Sequence, residues 1–376
     1  MDNQYAYRLV FLGEWFQEEA SMSRDFSIFY YPSDSAVEIF DLKTKKTFLK
    51  RTRVDYLSES DFFIGARVNI FGRQITILDY GDAATKKKLA HFRERSFMLI
   101  KPEGVEHLGS ILKLLHQSGF RLNNARMVQF QTRDPARLFD ESSVYRLAME
   151  SMLSGPVVGV EVVADNAVEK LKNLAGPEDP DQARQESPCS IRALFGLNKV
   201  KNAVHVAQTE KDVQNETSKF FYSPEPFKTT EVVERSTLAV IKPHILKSGE
   251  TGDVISEITQ NGFRITALKM ILLERPNCEE FYEVYRGVLP DFVQMVAQLS
   301  SGLCMALELV TVDESKDTHA EFRKFCGPMD PSVAIPLRPN TLRAKFGKTK
   351  ILNAVHCTDL PEDAILEVEY FFKILD

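Results

Sequence analysis

Residues 190–205 read SIRALFGLNKVKNAVH, and residues 341–356 read TLRAKFGKTKILNAVH. Each string ends in a histidine, His205 or His356, that follows an asparagine by three residues and an arginine by thirteen. Those partners are Asn202 and Arg192 in the first string, Asn353 and Arg343 in the second. A match of this length means two copies of one domain. Working outward, ERSFMLIKP at 94–102 answers ERSTLAVIKP at 234–243, and GFRLNNARM at 119–127 answers GFRITALKM at 262–270. SGPVVGVEVV at 154–163 answers SGLCMALELV at 301–310, and AGPEDP at 175–180 answers CGPMDP at 326–331.

Both copies carry one order of periodicities. An apolar run at 97–100 precedes Lys-Pro, and Ile111, Leu112, Leu114 and Leu115 form a helical stripe that Gly119 stops. Residues 120–130 read as a strand, with helical material to Ser154 and an apolar strand at 157–163. A helix at 167–174 ends at Gly-Pro, a strand at 203–206 carries the histidine, and a last helix ends near Phe221. This order predicts a ferredoxin-like sandwich, one sheet with helices on one face. Residues 1–92 instead hold six short β-rich runs split by turns, such as Pro32-Ser33-Asp34 and Gly72-Arg73. The expected class is α+β: a small antiparallel β domain at 1–92, then ferredoxin-like α/β sandwich domains at 93–222 and 234–376. The segment 223–233, with two prolines, is the expected linker.

The net charge of −6 argues against a nucleic-acid binder, which needs surplus Lys and Arg to displace counterions. No run approaches eighteen apolar residues, so no membrane partner is expected. Five cysteines with no CxxC pair, and no apolar leader at the N-terminus, point to a reducing intracellular compartment. Residues 43–53 (KTKKTFLKRTR) carry six basic residues. They read as a solvated hairpin, the alternative being a contact for an acidic partner such as tubulin.

A histidine in an apolar strand is usually part of a core or a surface. Here it recurs in register with an asparagine, an arginine and a lysine, Lys101 or Lys242, set before a proline that ends its strand. Arg offers a planar fork of donors to phosphate oxygens and Lys a point charge, so the set suits an anionic substrate. Histidine can act as base, metal ligand or nucleophile. No second His or Cys stands at ligand spacing in both copies, which argues against zinc.

Taken together, IKPEG, GFRL, SGPVVGVE, SIRALFG and NAVH follow the order and spacing of the nucleoside diphosphate kinases, and the chain resembles that family over 94–222 and 234–376. The resemblance implies ping-pong phosphoryl transfer between nucleoside triphosphates and diphosphates, with Mg²⁺ accompanying the nucleotide and no resident metal. By position it makes His205 and His356 the phosphorylated nucleophiles. Lys101, Lys242, Arg192 and Arg343 would hold phosphate or sugar oxygens, with Lys172 and Arg323 at the place of a further phosphate-binding arginine. Asn202 and Asn353 would contact the ribose. Glu216 and Glu367, each eleven residues past the histidine, would orient the imidazole.

The copies diverge just after the histidine. The family commonly continues Gly-Ser-Asp. The first copy has Val206-Ala207-Gln208, whereas the second has Cys357-Thr358-Asp359 and so keeps a hydroxyl, on Thr358, and an acid. The family tyrosine corresponds to Tyr282, without a clear equivalent in the first copy. The base-stacking position falls at Val144 or Tyr145 and at Asp291 or Phe292. A phosphate-side threonine is replaced by Glu178 and Met329. The second copy is therefore expected to be the active one and the first weak or structural. The N-terminal domain resembles one also found in axonemal EF-hand proteins. That likeness implies a cytoplasmic, cytoskeletal protein of the ciliary axoneme, a microtubule inner protein partnered by tubulin and other axonemal proteins, which stabilises the doublet. An enzyme acting mainly in nucleotide metabolism or histidine autophosphorylation is the alternative. Because the family builds oligomers from domain pairs, the two copies are expected to pair within one chain.

Overall fold

The computed structural model describes residues 7–17, 22–89, 94–139, 151–230 and 234–375. It divides into two compact units, Met1–Arg93 with Leu272–Gly302, and Glu94–Ile271 with Leu303–Asp376.

The first unit contains six antiparallel strands: β1 (Leu9–Gln17), β2 (Met22–Tyr31), β3 (Ala36–Asp41), β4 (Lys46–Arg53), β5 (Arg67–Ile70) and β6 (Arg73–Tyr80). Their order is β4-β3-β2-β1-β6-β5. Alternation drives the sheet: in β2, Phe26, Ile28 and Tyr30 point inward between more exposed neighbours. Phe62 closes the core, its ring 5.2 Å from Phe11 and 4.7 Å from Tyr30. The basic run forms β4, an edge strand with no buried residue. Arg51 there pairs with Asp34 at 2.7 Å and lies over the Tyr31 ring. The segment Leu272–Gly302 of the second copy belongs to this unit. The Asn69 amide donates to the Ser300 carbonyl at 2.7 Å, and the Gln74 amide to the Leu272 carbonyl at 2.8 Å.

The second unit is one eight-stranded sheet. The first copy supplies β7 (Glu94–Ile100), β8 (Arg121–Val128), β9 (Val157–Ala164) and β10 (Val204–Val206). The second supplies β11 (Thr237–Ile241), β12 (Phe263–Ile271), β13 (Cys304–Thr311) and β14 (Val355–Cys357). The order β10-β7-β9-β8-β12-β13-β11-β14 repeats one half in mirror image about the seam between β8 and β12, where Arg126 pairs with Lys269. β9 and β13 are buried along their whole length, as central strands covered on both faces must be.

On one face the helices Leu108–Gln117 and Thr251–Gln260 cross and close a core shared by both copies. The helix Glu210–Phe221 covers the opposite face of the first copy, with Phe220 packed among Phe97, Phe130 and Phe227. Helices on one face only, the arrangement expected from the order of elements, is thus corrected. Phe97 and Leu99 of β7 point away from Met98 and Ile100, and this second apolar stripe needs its own cover. Phe227 fastens the expected linker to that cover.

The helix crossing depends on two glycines. A Cβ on Gly252 would stand 2.4 Å from the Lys113 amide nitrogen and 2.5 Å from the Gly109 carbonyl oxygen. Only a bare backbone allows this approach. Gly252→Val is expected to cost about 2–4 kcal/mol of stability by forcing the helices apart, read as a lower midpoint in denaturant unfolding. An unchanged midpoint would mean that the seam is not tightly packed.

Candidate active sites

Both histidines reach their place by the same local device. Ala203 and Ala354 adopt φ of 69° and 70°, a left-handed conformation that costs a non-glycine residue about 1 kcal/mol. The twist lets the Ala203 carbonyl accept from the Lys101 amide, and the Ala354 carbonyl from the Lys242 amide, both at 2.9 Å. The strand carrying the histidine is thereby tied to the end of the strand carrying the lysine.

In the second copy, His356 is buried on β14. Its Nε2 lies 2.9 Å from Glu367 Oε2, and the Thr358 hydroxyl donates to the same oxygen at 2.8 Å. A carboxylate can only accept, so Nε2 carries a proton, and in the neutral ring the lone pair is then on Nδ1. Arg343 spans the site, donating to the Val355 carbonyl through Nε and Nη2, both at 3.2 Å, and to the Gly327 carbonyl through Nη1 at 3.0 Å. Asn353 Nδ2 donates to the Met329 carbonyl at 3.1 Å, while its buried Oδ1 has no hydrogen-bond donor among the described residues. Lys242 donates to the Ile351 carbonyl at 3.3 Å. Burial first, and the Arg343 charge second, lower its pKa to about 7. Arg323 donates to the Thr358 carbonyl at 3.3 Å and to the Asp359 carboxylate.

In the first copy, His205 Nε2 lies 2.9 Å from Glu216 Oε2. The position of Thr358 is Ala207, so the carboxylate lacks that second donor. Lys101 donates to Asn202 Oδ1 at 2.7 Å, and each side chain thereby occupies the other. Burial lowers the Lys101 pKa to about 8, with Glu103 opposing that effect. Arg192 repeats the span of Arg343, reaching the Val204 carbonyl at 3.2–3.3 Å and the Gly176 carbonyl at 2.7 Å. Lys172 pairs with Glu169 at 3.2 Å on its own helix.

The sequence reading missed Phe139, whose ring stands edge-on to His205 with centroids 4.4 Å apart. Tyr282 belongs to the unit that holds the N-terminal sheet, where it is buried beside Phe281 and Tyr285. Asp291 and Phe292 lie there too, with the Arg286 guanidinium over the Phe292 ring. Val144 and Tyr145 lie outside the described residues. No three His, Cys, Asp or Glu side chains gather to hold a metal among the described residues, and none of the described helices is long and apolar enough to cross a membrane.

The nucleoside diphosphate kinase family profile matches residues 94–226 and 235–375, and the DM10 domain profile matches residues 2–84. Nucleoside diphosphate kinase homolog 7 of Rattus norvegicus is 43% identical over 375 residues, spanning 98% of this chain and 94% of that one. The protein of the same name from Mus musculus is 42% identical over the same shares. The nucleoside diphosphate kinase of Aquifex aeolicus is 38% identical over 144 residues, 38% of this chain and 97% of its own. With the duplicated Lys, Arg, Asn, His and Glu geometry in place and the family profile spanning most of its length, the chain belongs to the nucleoside diphosphate kinase family, as two tandem domains behind a DM10 domain.

Proposed function

We propose that the second domain transfers phosphoryl groups from nucleoside triphosphates to diphosphates through His356. The observation that carries this reading is the Glu367 carboxylate, which accepts from both the His356 ring and the Thr358 hydroxyl. With Nε2–H fixed on Glu367, the Nδ1 lone pair attacks the γ-phosphorus. The bond to the bridging oxygen breaks and its electron pair leaves with the nucleoside diphosphate. The ring gains positive charge, which the carboxylate offsets, and no proton need move. Lys242 and Arg343 supply positive charge toward the phosphates, and the open Asn353 Oδ1 suits a ribose hydroxyl donor. Mg²⁺ would arrive on the nucleotide phosphates and lower their charge. The test is chase chemistry: acid-labile label from γ-³²P-ATP should pass to added unlabelled nucleoside diphosphate. Label that forms but does not transfer would refute the kinase reading.

The first site supports a different use. Its lysine and asparagine are bonded to each other, its histidine faces Phe139, and its carboxylate lacks the second donor. Together with the DM10 domain, this favours a structural role for the chain in ciliary doublet microtubules, as an inner protein that stabilises the doublet through tubulin and other axonemal proteins. The exposed basic strand Lys46–Arg53 suits an acidic tubulin surface. Cryo-electron microscopy of axonemes tests this, and absence of the chain from the doublet would refute it.

A further inference from the structure

The helix Thr318–Cys326 sets His319, Arg323 and Cys326 along one face, at the spacing that aligns side chains on an α-helix. All three meet the residues that follow His356. His319 Nε2 donates to the Thr358 carbonyl oxygen at 3.1 Å. Arg323 donates to the same oxygen at 3.3 Å and to the Asp359 carboxylate. The Cys326 and Cys357 thiols interact with each other. Thr358 is therefore gripped at its backbone while its hydroxyl donates to Glu367 at 2.8 Å, and Glu367 in turn holds His356 Nε2 at 2.9 Å.

The first copy serves as an internal control. Its aligned helix, Ala167–Ala175, carries Val168, Lys172 and Ala175 at these places, facing a strand end of Val206, Ala207 and Gln208. Val168 and Ala175 have no polar side-chain atom to donate, and Lys172 is paired with Glu169. The change on the helix therefore accompanies the change after the histidine. Where the threonine is lost, the donors that would fix its carbonyl are lost with it.

We propose that His319 is a positioning residue for His356. It acts through Thr358 and Glu367 to keep Nε2–H engaged and Nδ1 aimed at the arriving phosphorus. The proposal rests on the phosphoryl-transfer reading of the second site. A donor removed from a chain of hydrogen bonds loosens every group after it, and loose aim slows a reaction without weakening substrate binding.

The test uses the full chain in a His205→Ala background, so that only the second site is read. His319→Val installs the residue of the first copy. It is expected to slow phosphohistidine formation at saturating Mg-ATP roughly fivefold, with the half-saturating concentration unchanged within about twofold. His319→Gln keeps an N–H near the Nε2 position and is expected to restore the rate. Independently of turnover, NMR of ¹⁵N-labelled imidazoles should detect the His356 Nε2 proton in the parent and in His319→Gln. In His319→Val it should be lost to exchange. Equal rates in all three proteins, equal slowing in both variants, or a persistent Nε2 proton in His319→Val would overturn the proposal. A parent that takes no label would overturn the phosphoryl-transfer reading instead, and the NMR comparison would still decide whether His319 positions His356.

Discussion

His356→Ala is expected to abolish acid-labile labelling by γ-³²P-ATP at the second domain, a loss of about 10³-fold or more, because no other side chain can replace the attacking nitrogen. His205→Ala is expected to leave most of the label in place. The asymmetry follows from the two environments. Glu367 receives two donors and Glu216 receives one of the same pair, since Ala207 offers no hydroxyl. Phe139 stands 4.4 Å from the His205 ring, and the Lys101 ammonium is engaged with Asn202. Labelling of the purified single variants decides the matter. If both variants keep full label, neither histidine is the nucleophile. If His205→Ala loses the label and His356→Ala does not, the ranking of the sites is reversed.

Nucleotide binding at the second site is expected to take up close to one proton at pH 8, and Lys242→Met to remove that uptake while slowing transfer by about 10²-fold. Lys242 is fully buried, and desolvation, reinforced by Arg343, holds its pKa near 7, against an ordinary value of 10.5. At pH 8 the free site is therefore mostly neutral at this nitrogen. A phosphate dianion alongside favours the ammonium, so binding draws a proton from solvent, and affinity falls as pH rises above about 7. The same shift has a consequence for stability. Between pH 7 and 10.5 the unfolded chain holds this proton and the folded chain does not, so the contribution of this group to stability rises with pH across that window. Calorimetric titration with a non-hydrolysable nucleotide, in buffers of different ionisation enthalpy, measures the uptake. A value of zero in the unmodified chain would mean that Lys242 is already charged before the ligand arrives.

Much of this is legible in the sequence. The duplicated string announced two domains, and the ten residues between each histidine and its glutamate amount to a strand end, a turn and a helix, which bring them within 2.9 Å. What stayed hidden was non-local. Nothing periodic links Asn69 to Ser300, so the association of Leu272–Gly302 with the N-terminal sheet left no mark in the sequence. Phe139 sits where the two copies differ in length, beyond the reach of internal alignment. The second covered face is not legible in the sequence because the apolar run at 97–100 is fully buried. With both sides apolar, it shows no alternation to reveal that two layers pack against it.

The unbroken sheet across the two copies also bears on how their chemistry can drift. When two separate subunits associate, dilution parts them, and each must remain good enough to find its mate. Here the Arg126–Lys269 seam closes within one polypeptide, so the mate is always present and association costs no translational freedom. A half that loses its reaction is still required as a wall for the other. On the proposed reading, substitutions around His205 are filtered by whether the wall stands, and those around His356 by whether phosphate moves. The tether thus makes one partner free to become scaffold without ever being discarded.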